Sequence, residues 1–169
     1  RIDKFSEESW KRVIDVNLTG SFFAVKYAVP LLEKAGGGVI LLLISGAGVT
    51  GGSSSVPYAA SKGGVRGLTL MLETQLEPLN IRIHAVSPPD MATNMKLGAI
   101  REMAEKEGQS GDVAEENARR GLEEPAETAK VLVDLVSDAG ATARGRVTVF
   151  HSDWDLETRT LRNPNRPLR

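Results

Sequence analysis

The chain has 169 residues, of which 41% are apolar and 25% are charged, and this composition is typical of one folded domain. A formal net charge of −1 gives no basic surface for nucleic acid or an anionic membrane, so neither is an expected partner. The absence of cysteine excludes disulfides, thiolate catalysis and cysteine metal ligands. The longest apolar run, residues 39–44, is too short to cross a bilayer, and we expect a cytoplasmic protein without a targeting segment.

The first part of the chain predicts a long helix followed by a buried strand. Ser6 is a candidate N-cap, and the apolar pattern of residues 6–34 predicts a helix that bends near Gly20. Glycines at 36–38 end this helix. The next run, VILLLIS at residues 39–45, has no polar alternation, which is typical of a central parallel strand buried on both faces.

A second helix is predicted over residues 57–77, where Pro57 suits the first helical position and apolar residues lie on two sides. One side is expected to cover the sheet. The other side, with Leu72 and Leu76 as members, is expected to contact the same helix of a second subunit. Helices 6–34 and 57–77 therefore predict a homodimer or homotetramer.

The remaining segments complete an α/β pattern with a parallel sheet. In chain order they are a strand in NIRIHAVSP (80–88), a mobile substrate lid with short helices (90–124), a helix (125–137), a strand in RVTVF (146–150) and a polar tail (152–169). Met91, Met95 and Leu97 suit a substrate lid and a plain packing role equally well. His84 and His151 are far apart and have no acidic cluster at metal spacing, so no metal site is predicted.

Four polar residues are candidates for a site. Tyr58 and Lys62 are four residues apart, so their side chains leave the same face of a helix, although such a pair is commonly an ordinary surface pair. Ser45 follows the buried strand at its carboxyl end, where open α/β sheets bind ligands. Asn17 lies inside a predicted helix, where asparagine is unfavourable, and a helix kink explains it as well as a site role does.

The motifs VNLTG, ISGAGVTGG, YAASKGG and IRIHAVSPPDMATNM, in this order and at this spacing, resemble the short-chain dehydrogenase/reductase family. The resemblance implies the C-terminal portion of a doubly wound, Rossmann-like sheet with three strands, as a single partial domain over residues 1–169. It implies Asn17, Ser45, Tyr58 and Lys62 as the catalytic residues of an NAD(P)-dependent oxidoreductase. Tyr58, Lys62, Pro88 and Thr93 would contact the nicotinamide cofactor, NAD or NADP, and the substrate would be a small carbonyl compound or alcohol.

The chemistry fits these residue types. A free phenol has a pKa of about 10, and a nearby positive charge such as Lys62 favours its ionised form, so the pair suits proton exchange near neutral pH. Ser45 would hold the substrate oxygen by a hydrogen bond. By resemblance, Lys62 would also hold the nicotinamide ribose, Asn17 a water that links Lys62 to solvent, and Thr93 the nicotinamide carboxamide.

The chain departs from the family pattern in two places. Pro89 stands where the family has glycine, which fixes φ and removes an N–H donor. The glycine-rich turn that binds pyrophosphate is absent from these residues, so we expect the chain by itself to bind a dinucleotide weakly and its first strand to have an unpaired edge. A non-catalytic truncated remnant, or a dimerising interaction module, is therefore the alternative hypothesis.

Overall fold

The computed structural model describes residues 2–51, 55–144 and 148–162, in which helices and strands alternate along the chain. The main elements are α1 (Glu7–Ile14), α2 (Gly20–Lys34), β1 (Gly38–Leu43), α3 (Ala47–Thr50), α4 (Val56–Leu76), β2 (Ile81–Ser87), α5 (Asn94–Lys106), α6 (Gly111–Gly121), α7 (Pro125–Val136), β3 (Thr148–Phe150), β4 (Trp154–Asp155) and β5 (Thr160–Leu161). Short 3₁₀ turns occupy Ile2–Lys4, Glu77–Leu79, Asp138–Ala143 and His151–Asp153. Of the predicted final strand, Arg146 and Val147 lie outside the described residues.

The predicted long helix over 6–34 is interrupted by a π-helical segment, Asp15–Thr19, which joins α1 to α2. Ser6 caps the start of α1, because its Oγ accepts a hydrogen bond from the Ser9 amide at 3.3 Å. The π segment ends immediately before Gly20, near the predicted bend, and it contains Asn17. Such one-turn π insertions are frequent at functional sites.

The main sheet is parallel and has the order β1-β2-β3. This confirms the predicted α/β, Rossmann-like fold with three strands alternating with helices. Among the described residues, β2 lies in the centre of this sheet and β1 pairs with β2 alone. The unpaired edge expected for the first strand is therefore confirmed, whereas β1 is not central in this sheet. The apolar pattern of β1 arises from its two covered faces, which does not depend on how many strands flank it.

Apolar clusters cover both faces of this sheet. On one face, Val25 of α2 and Val65 of α4 pack with alternate strand residues, among them Leu42 of β1 and Ile83 of β2. On the other face, α7 packs against β2 and β3. This two-sided covering positions the carboxyl ends of β1 and β2, where the candidate site residues follow.

The expected subunit contact by Leu72 and Leu76 is wrong. Leu76 is only 3% exposed, and Leu72 packs against the core cluster beneath the helix. The outward side of α4 instead carries Leu70 and Met71, which are 43% and 66% exposed. The helix is apolar on both sides, so the sequence pattern did not indicate which side faces the sheet.

The last part of the chain is more ordered than its composition indicates. The predicted lid contains two regular helices, α5 and α6, joined by contacts from Arg101 to Glu115 and Asp112. The predicted polar tail contains an antiparallel pair of short strands, β4 and β5, from which Trp154 and Leu161 enter the core beside α7. Trp154 and Leu161 are isolated apolar residues that belong to no alternating apolar pattern, and the sequence therefore did not predict these strands. Residues 163–169 of the tail lie outside the described residues.

Over its described residues, the structure contains no helix that is long and apolar enough to span a membrane.

Candidate active site

A cleft of about 380 Å³ opens at the carboxyl ends of β1 and β2. It brings together residues from the loop after β1, the start of α4, the loop after β2 and α5, namely Ile44, Ser45, Tyr58, Pro88, Pro89, Asp90, Met91, Thr93, Met95, Lys96 and Ala99. Four of the six predicted site residues are in this set. The loops that follow parallel strands meet at one edge of a sheet, which explains why residues so distant in sequence share one cleft.

Tyr58 and Lys62 lie together on the first two turns of α4. The Lys62 Nζ is 5.7 Å from the centroid of the Tyr58 ring, within the range of a cation–π contact. The same Nζ donates a hydrogen bond of 2.8 Å to the main-chain oxygen of Leu43, at the end of β1. Burial lowers the pKa of Lys62 from its ordinary value, because it disfavours the charged form. The sheet therefore fixes the position of the ammonium group beside the phenol.

Asn17 is connected to Tyr58 through a third residue, Ser61. The Asn17 Nδ2 donates to the Ser61 Oγ at 3.0 Å, and the Ser61 hydroxyl donates to the Tyr58 main-chain oxygen at 2.8 Å. Ser61 is fully buried. The π segment and the first turn of α4 are thus joined by side-chain bonds, which holds the Tyr58 backbone in place. The Asn17 main-chain oxygen also accepts from Ser21 Oγ at 2.6 Å.

Ser45 and Thr93 each accept a local hydrogen bond and keep a hydroxyl proton for another partner. The Ser45 Oγ accepts from the Ala47 amide at 3.3 Å, and the Thr93 Oγ1 accepts from the Lys96 amide at 3.2 Å as the N-cap of α5. Both are half-buried residues that line the cleft. Each hydroxyl can therefore donate to a ligand oxygen in the cleft.

Glycines allow the close contacts on which this arrangement depends. A Cβ on Gly48 would lie 2.6 Å from the Gly63 amide nitrogen, so α3 and α4 meet backbone to backbone beside Lys62. A Cβ on Gly64 would lie 2.7 Å from a methyl group of Leu18, in the π segment. The small residues around Lys62 are thus explained by neighbouring elements of the protein itself.

Two contributors to the site were missed in the sequence, the Ser61 hydroxyl and the Leu43 carbonyl. Ser61 lies three residues after Tyr58 and one before Lys62, so helical spacing placed it on the same face and could have identified it. The Leu43 carbonyl carries no sequence signal, because every residue has one.

The family model described as short chain dehydrogenase matches residues 1–104, more than half of the chain. The chain belongs to this family. Short-chain dehydrogenase relatives include cyclohexanol dehydrogenase from Acinetobacter sp. (strain SE19), which is 34% identical over 143 residues, 85% of this chain and 53% of the relative. Trans-4-hydroxycyclohexanecarboxylate dehydrogenase from Sinomonas cyclohexanicum is 43% identical over 94 residues, 56% of this chain and 36% of the relative.

Among solved structures, L-sorbose reductase from Gluconobacter frateurii, in complex with NADPH and L-sorbose, matches with a TM-score of 0.79 at 19% identity. The match covers 89% of this chain and 59% of the reductase, and at this identity it shows the fold alone. The chain spans about half of the length of the cyclohexanol dehydrogenase and of the reductase.

Proposed function

We propose that the protein containing this chain transfers hydride between a nicotinamide cofactor and a carbonyl compound or alcohol, with Tyr58 as the general acid or base. The observation that carries this proposal is the geometry of the cleft. Tyr58 and Ser45 line the same 380 Å³ space, and the Lys62 ammonium lies 5.7 Å from the Tyr58 ring. Membership of the short-chain dehydrogenase family supports the reaction class.

In carbonyl reduction, the Tyr58 hydroxyl donates its proton to the carbonyl oxygen, and in alcohol oxidation the phenolate oxygen accepts the proton of the alcohol. The Ser45 hydroxyl donates a hydrogen bond to the same oxygen and stabilises the negative charge that develops on it. Because one lone pair of the Ser45 oxygen accepts from the Ala47 amide, the Ser45 proton is directed away from that amide.

Lys62 has two roles in this proposal. Its positive charge stabilises the negative charge that develops on the phenol oxygen as the proton leaves. One ammonium proton is used by the Leu43 main-chain oxygen, and two remain for the hydroxyl groups of the nicotinamide ribose. Asn17 contributes by holding Ser61, and through it the Tyr58 backbone, and its remaining amide group suits a water that links Lys62 to solvent.

The cofactor is NAD or NADP, and when bound it supplies or accepts the hydride. The cleft fits the nicotinamide end: Pro88 provides an apolar wall, and the Thr93 hydroxyl provides a donor for the carboxamide oxygen. Tyr58 and Lys62 lie on the side of the cleft formed by α4. This set of donors agrees with a flat ring that has one polar substituent.

The substrate is proposed to be a small alicyclic alcohol or ketone. Two relatives are named for cyclohexanol and for trans-4-hydroxycyclohexanecarboxylate. The cleft beside Ser45 and Tyr58 has apolar walls from Ile44, Met91 and Ala99, which suit a saturated ring. A panel of cyclic alcohols and ketones is therefore the first set to assay.

We also propose that the protein is a cytoplasmic homodimer or homotetramer assembled through α2 and α4. On α2, exposed apolar side chains repeat every four residues at Phe23, Tyr27 and Leu31, and on α4 the outward residues are Leu70 and Met71. Repeated apolar side chains on one helix face are typical of a surface that packs against another helix.

The decisive experiment compares Tyr58→Phe with Tyr27→Phe in the full-length protein. The two tyrosines are a matched pair, because each has a lysine Nζ 5.7 Å from its ring centroid, Lys62 for Tyr58 and Lys26 for Tyr27. Tyr27 is 65% exposed on α2. We expect kcat/KM to fall about 10²- to 10⁴-fold in Tyr58→Phe and to stay unchanged in Tyr27→Phe, with equal melting temperatures. Near-normal turnover in Tyr58→Phe would reject the catalytic assignment.

The second candidate is a non-catalytic, dimerising module. Two observations favour it: among the described residues β1 pairs on one side only, with β2, and α2 has an exposed apolar face. Titration with NADH and NADPH, followed by fluorescence, separates the two candidates. Micromolar binding by the full-length protein supports the enzyme, and the absence of binding together with a stable oligomer supports the module.

A further inference from the structure

Glu123, in the connection between α6 and α7, contacts three separate parts of the structure. Its Oε1 accepts a hydrogen bond of 3.0 Å from the hydroxyl of Thr128, which is buried in the second turn of α7. The same oxygen lies 2.9 Å from the Nε2 of His151, immediately after β3. About a quarter of the Glu123 side chain and a fifth of the His151 side chain are exposed. The carboxylate is therefore bonded to a helix and lies close to the end of a strand, although the His151 Nε2 has no hydrogen-bond partner among the described residues.

The main chain of Glu123 holds the loop that forms one wall of the cleft. The Ala92 amide donates to the Glu123 oxygen at 2.9 Å, and the Glu123 amide donates to the Asp90 oxygen at 3.3 Å. These two bonds form a parallel bridge between Met91 and Glu123. Met91 and its neighbours Pro89 and Asp90 line the cleft beside Tyr58. The position of Glu123 therefore determines the position of this wall.

We infer that Glu123 is a positioning residue for substrate binding: its carboxylate, held by the Thr128 hydroxyl beside His151, keeps residues 89–92 in the place that shapes the cleft. The effect on substrate rests on the proposed function, whereas the effect on the loop does not. Glu123 contacts neither Tyr58 nor Ser45, and acts through main-chain bonds to residues that line the cleft.

This arrangement separates binding from chemistry. Tyr58, Lys62 and Ser45 are fixed by bonds to α4, β1 and α3, which do not involve Glu123. Glu123 bonds to Asp90 and Ala92, which lie between the proposed cofactor contacts Pro88 and Thr93. Loosening residues 89–92 removes contacts made equally to substrate and transition state, and such a loss raises KM while kcat is retained. A residue required for catalytic geometry would instead lower kcat.

The first test measures amide hydrogen exchange in the full-length protein without any ligand. In Glu123→Ala, we expect the amides of Ala92 and residue 123 to exchange about tenfold faster, while those of β2 remain unchanged. The matched control is Glu124→Ala, an adjacent and exposed glutamate, which should exchange like the wild type. Equal exchange in the two variants would overturn the inference.

The second test measures steady-state kinetics with the substrate that the wild type turns over best. Glu123→Ala should raise KM about tenfold, equivalent to ~1.4 kcal/mol, with kcat within about twofold of the wild type. Glu123→Gln should give an intermediate KM, because its amide oxygen still accepts from Thr128 while the negative charge beside His151 is lost. A fall in kcat with an unchanged KM in either variant would contradict the positioning role.

The two readouts distinguish the failure of each proposal. If the wild type turns over no substrate but Glu123→Ala accelerates exchange at Ala92, the proposed function fails while the structural role of Glu123 stands. If Glu123→Ala does not fold, Glu123→Gln, which preserves side-chain size, decides the exchange result. Normal exchange at Ala92 in a folded Glu123→Gln with a wild-type KM would reject the role of the charge.

Discussion

The site-bearing region, residues 7–87, and the region that follows it, residues 88–162, hold their polar side chains by different means. In the first region, Asn17, Ser45 and Lys62 bind hydroxyl and main-chain groups. In the second, carboxylates pair with cations, as in Glu115 with Arg101 and Asp134 with Arg159. Hydrogen bonds to neutral partners in a packed setting fix atoms closely, whereas exposed ion pairs contribute little and are screened by salt. The first arrangement suits groups that react, and the second suits a surface that selects a ligand.

Substitution of Lys62 tests the first region most severely. We expect Lys62→Ala to lower kcat/KM about 10²- to 10³-fold, since the charge beside the phenol and the bond to Leu43 are both lost. The matched control is Lys26→Ala, which removes an exposed lysine at the same distance from Tyr27. If both variants lose activity equally, Lys62 has no role in the reaction beyond that of an exposed lysine.

The pH dependence of this variant has a definite sign. Lys62→Ala removes the ammonium group, so its residual activity should lack any decline that follows from deprotonation of Lys62. In the wild type, burial lowers the pKa of Lys62, so its ammonium is lost at a lower pH than that of an exposed lysine. Activity that depends on this charge should therefore decline at the alkaline end. An unchanged pH profile in an active Lys62→Ala would contradict the pairing.

The exposed surfaces of the two regions are expected to contribute differently to subunit association. Met71 on α4 and Met103 on α5 are exposed to nearly the same extent, 66% and 64%. We expect Met71→Glu to weaken self-association about 100-fold, ~2.7 kcal/mol, because it places an unpaired charge in an apolar contact. Met103→Glu should have no effect. Analytical ultracentrifugation measures both, and equal sedimentation of the two variants would remove α4 from the interface.

Asp134 is the exception within the charged region, because its carboxylate is buried while its partner Arg159 is half exposed. The carboxylate is 8% exposed and accepts bonds from Trp154 Nε1 at 3.1 Å and from Arg159 Nε at 2.8 Å. Asp134→Asn should lower the unfolding free energy by about 2 kcal/mol, since a hydrogen-bonded charge is lost. Glu116→Gln, in the exposed pair with Arg120, should change it by less than about 0.5 kcal/mol. Urea unfolding at pH 7 measures both variants. Equal losses of unfolding free energy would show that burial of the carboxylate does not determine how much a pair stabilises the fold.

Acid should remove the difference caused by Asp134→Asn. Burial alone would raise the pKa of Asp134, but the bonds from Trp154 and Arg159 and the charge of Arg159 outweigh it, so the pKa is lowered. A carboxylate with a lowered pKa stabilises the fold above its unfolded pKa, and this contribution is lost as the pH falls through the folded value. The wild type and Asp134→Asn should therefore converge in stability below about pH 4. A constant difference down to pH 2 would contradict this.

The sequence predicted the first region better than the second, for a physical reason. Apolar periodicity, Pro57 and the glycines after α2 are local signals, and they predicted the helices and strands to within a few residues. The hairpin that buries Trp154 depends on its contact with Asp134, 20 residues away, and Glu123 contacts His151, 28 residues away. Single polar residues that pair at such separations leave no periodic pattern.

Within the candidate site, the sequence indicated which side chains lie close together, but it did not indicate the hydrogen bonds that connect them. The spacing of Tyr58 and Lys62 indicated a shared helix face, and the structure places their side chains together. Asn17 was explained equally by a kink and by a site role, and the structure gives it both a π segment and a bond to Ser61. The rotation of α4 on the sheet decides that Met71 rather than Leu76 faces outward, and that rotation is set by tertiary packing.

The smallest expected effect concerns Ser61, the connection that the sequence did not reveal. Ser61→Ala removes the hydroxyl that joins Asn17 to the Tyr58 main chain. Losing one such hydrogen bond costs about 1 kcal/mol, so kcat should fall about fivefold if that bond positions Tyr58 in the transition state.

The control for Ser61 is Thr74, in the same helix. Its hydroxyl also donates to a main-chain oxygen three residues earlier, that of Met71, but it is exposed and remote from the cleft. Thr74→Ala should leave kcat unchanged, and comparison of kcat with the melting temperature separates a catalytic loss from a general weakening of α4. If Ser61→Ala lowers only the melting temperature, then the hydrogen bonds of Ser61 stabilise the fold without fixing the reacting groups. The difference in bonding between the two regions would then have no consequence for catalysis.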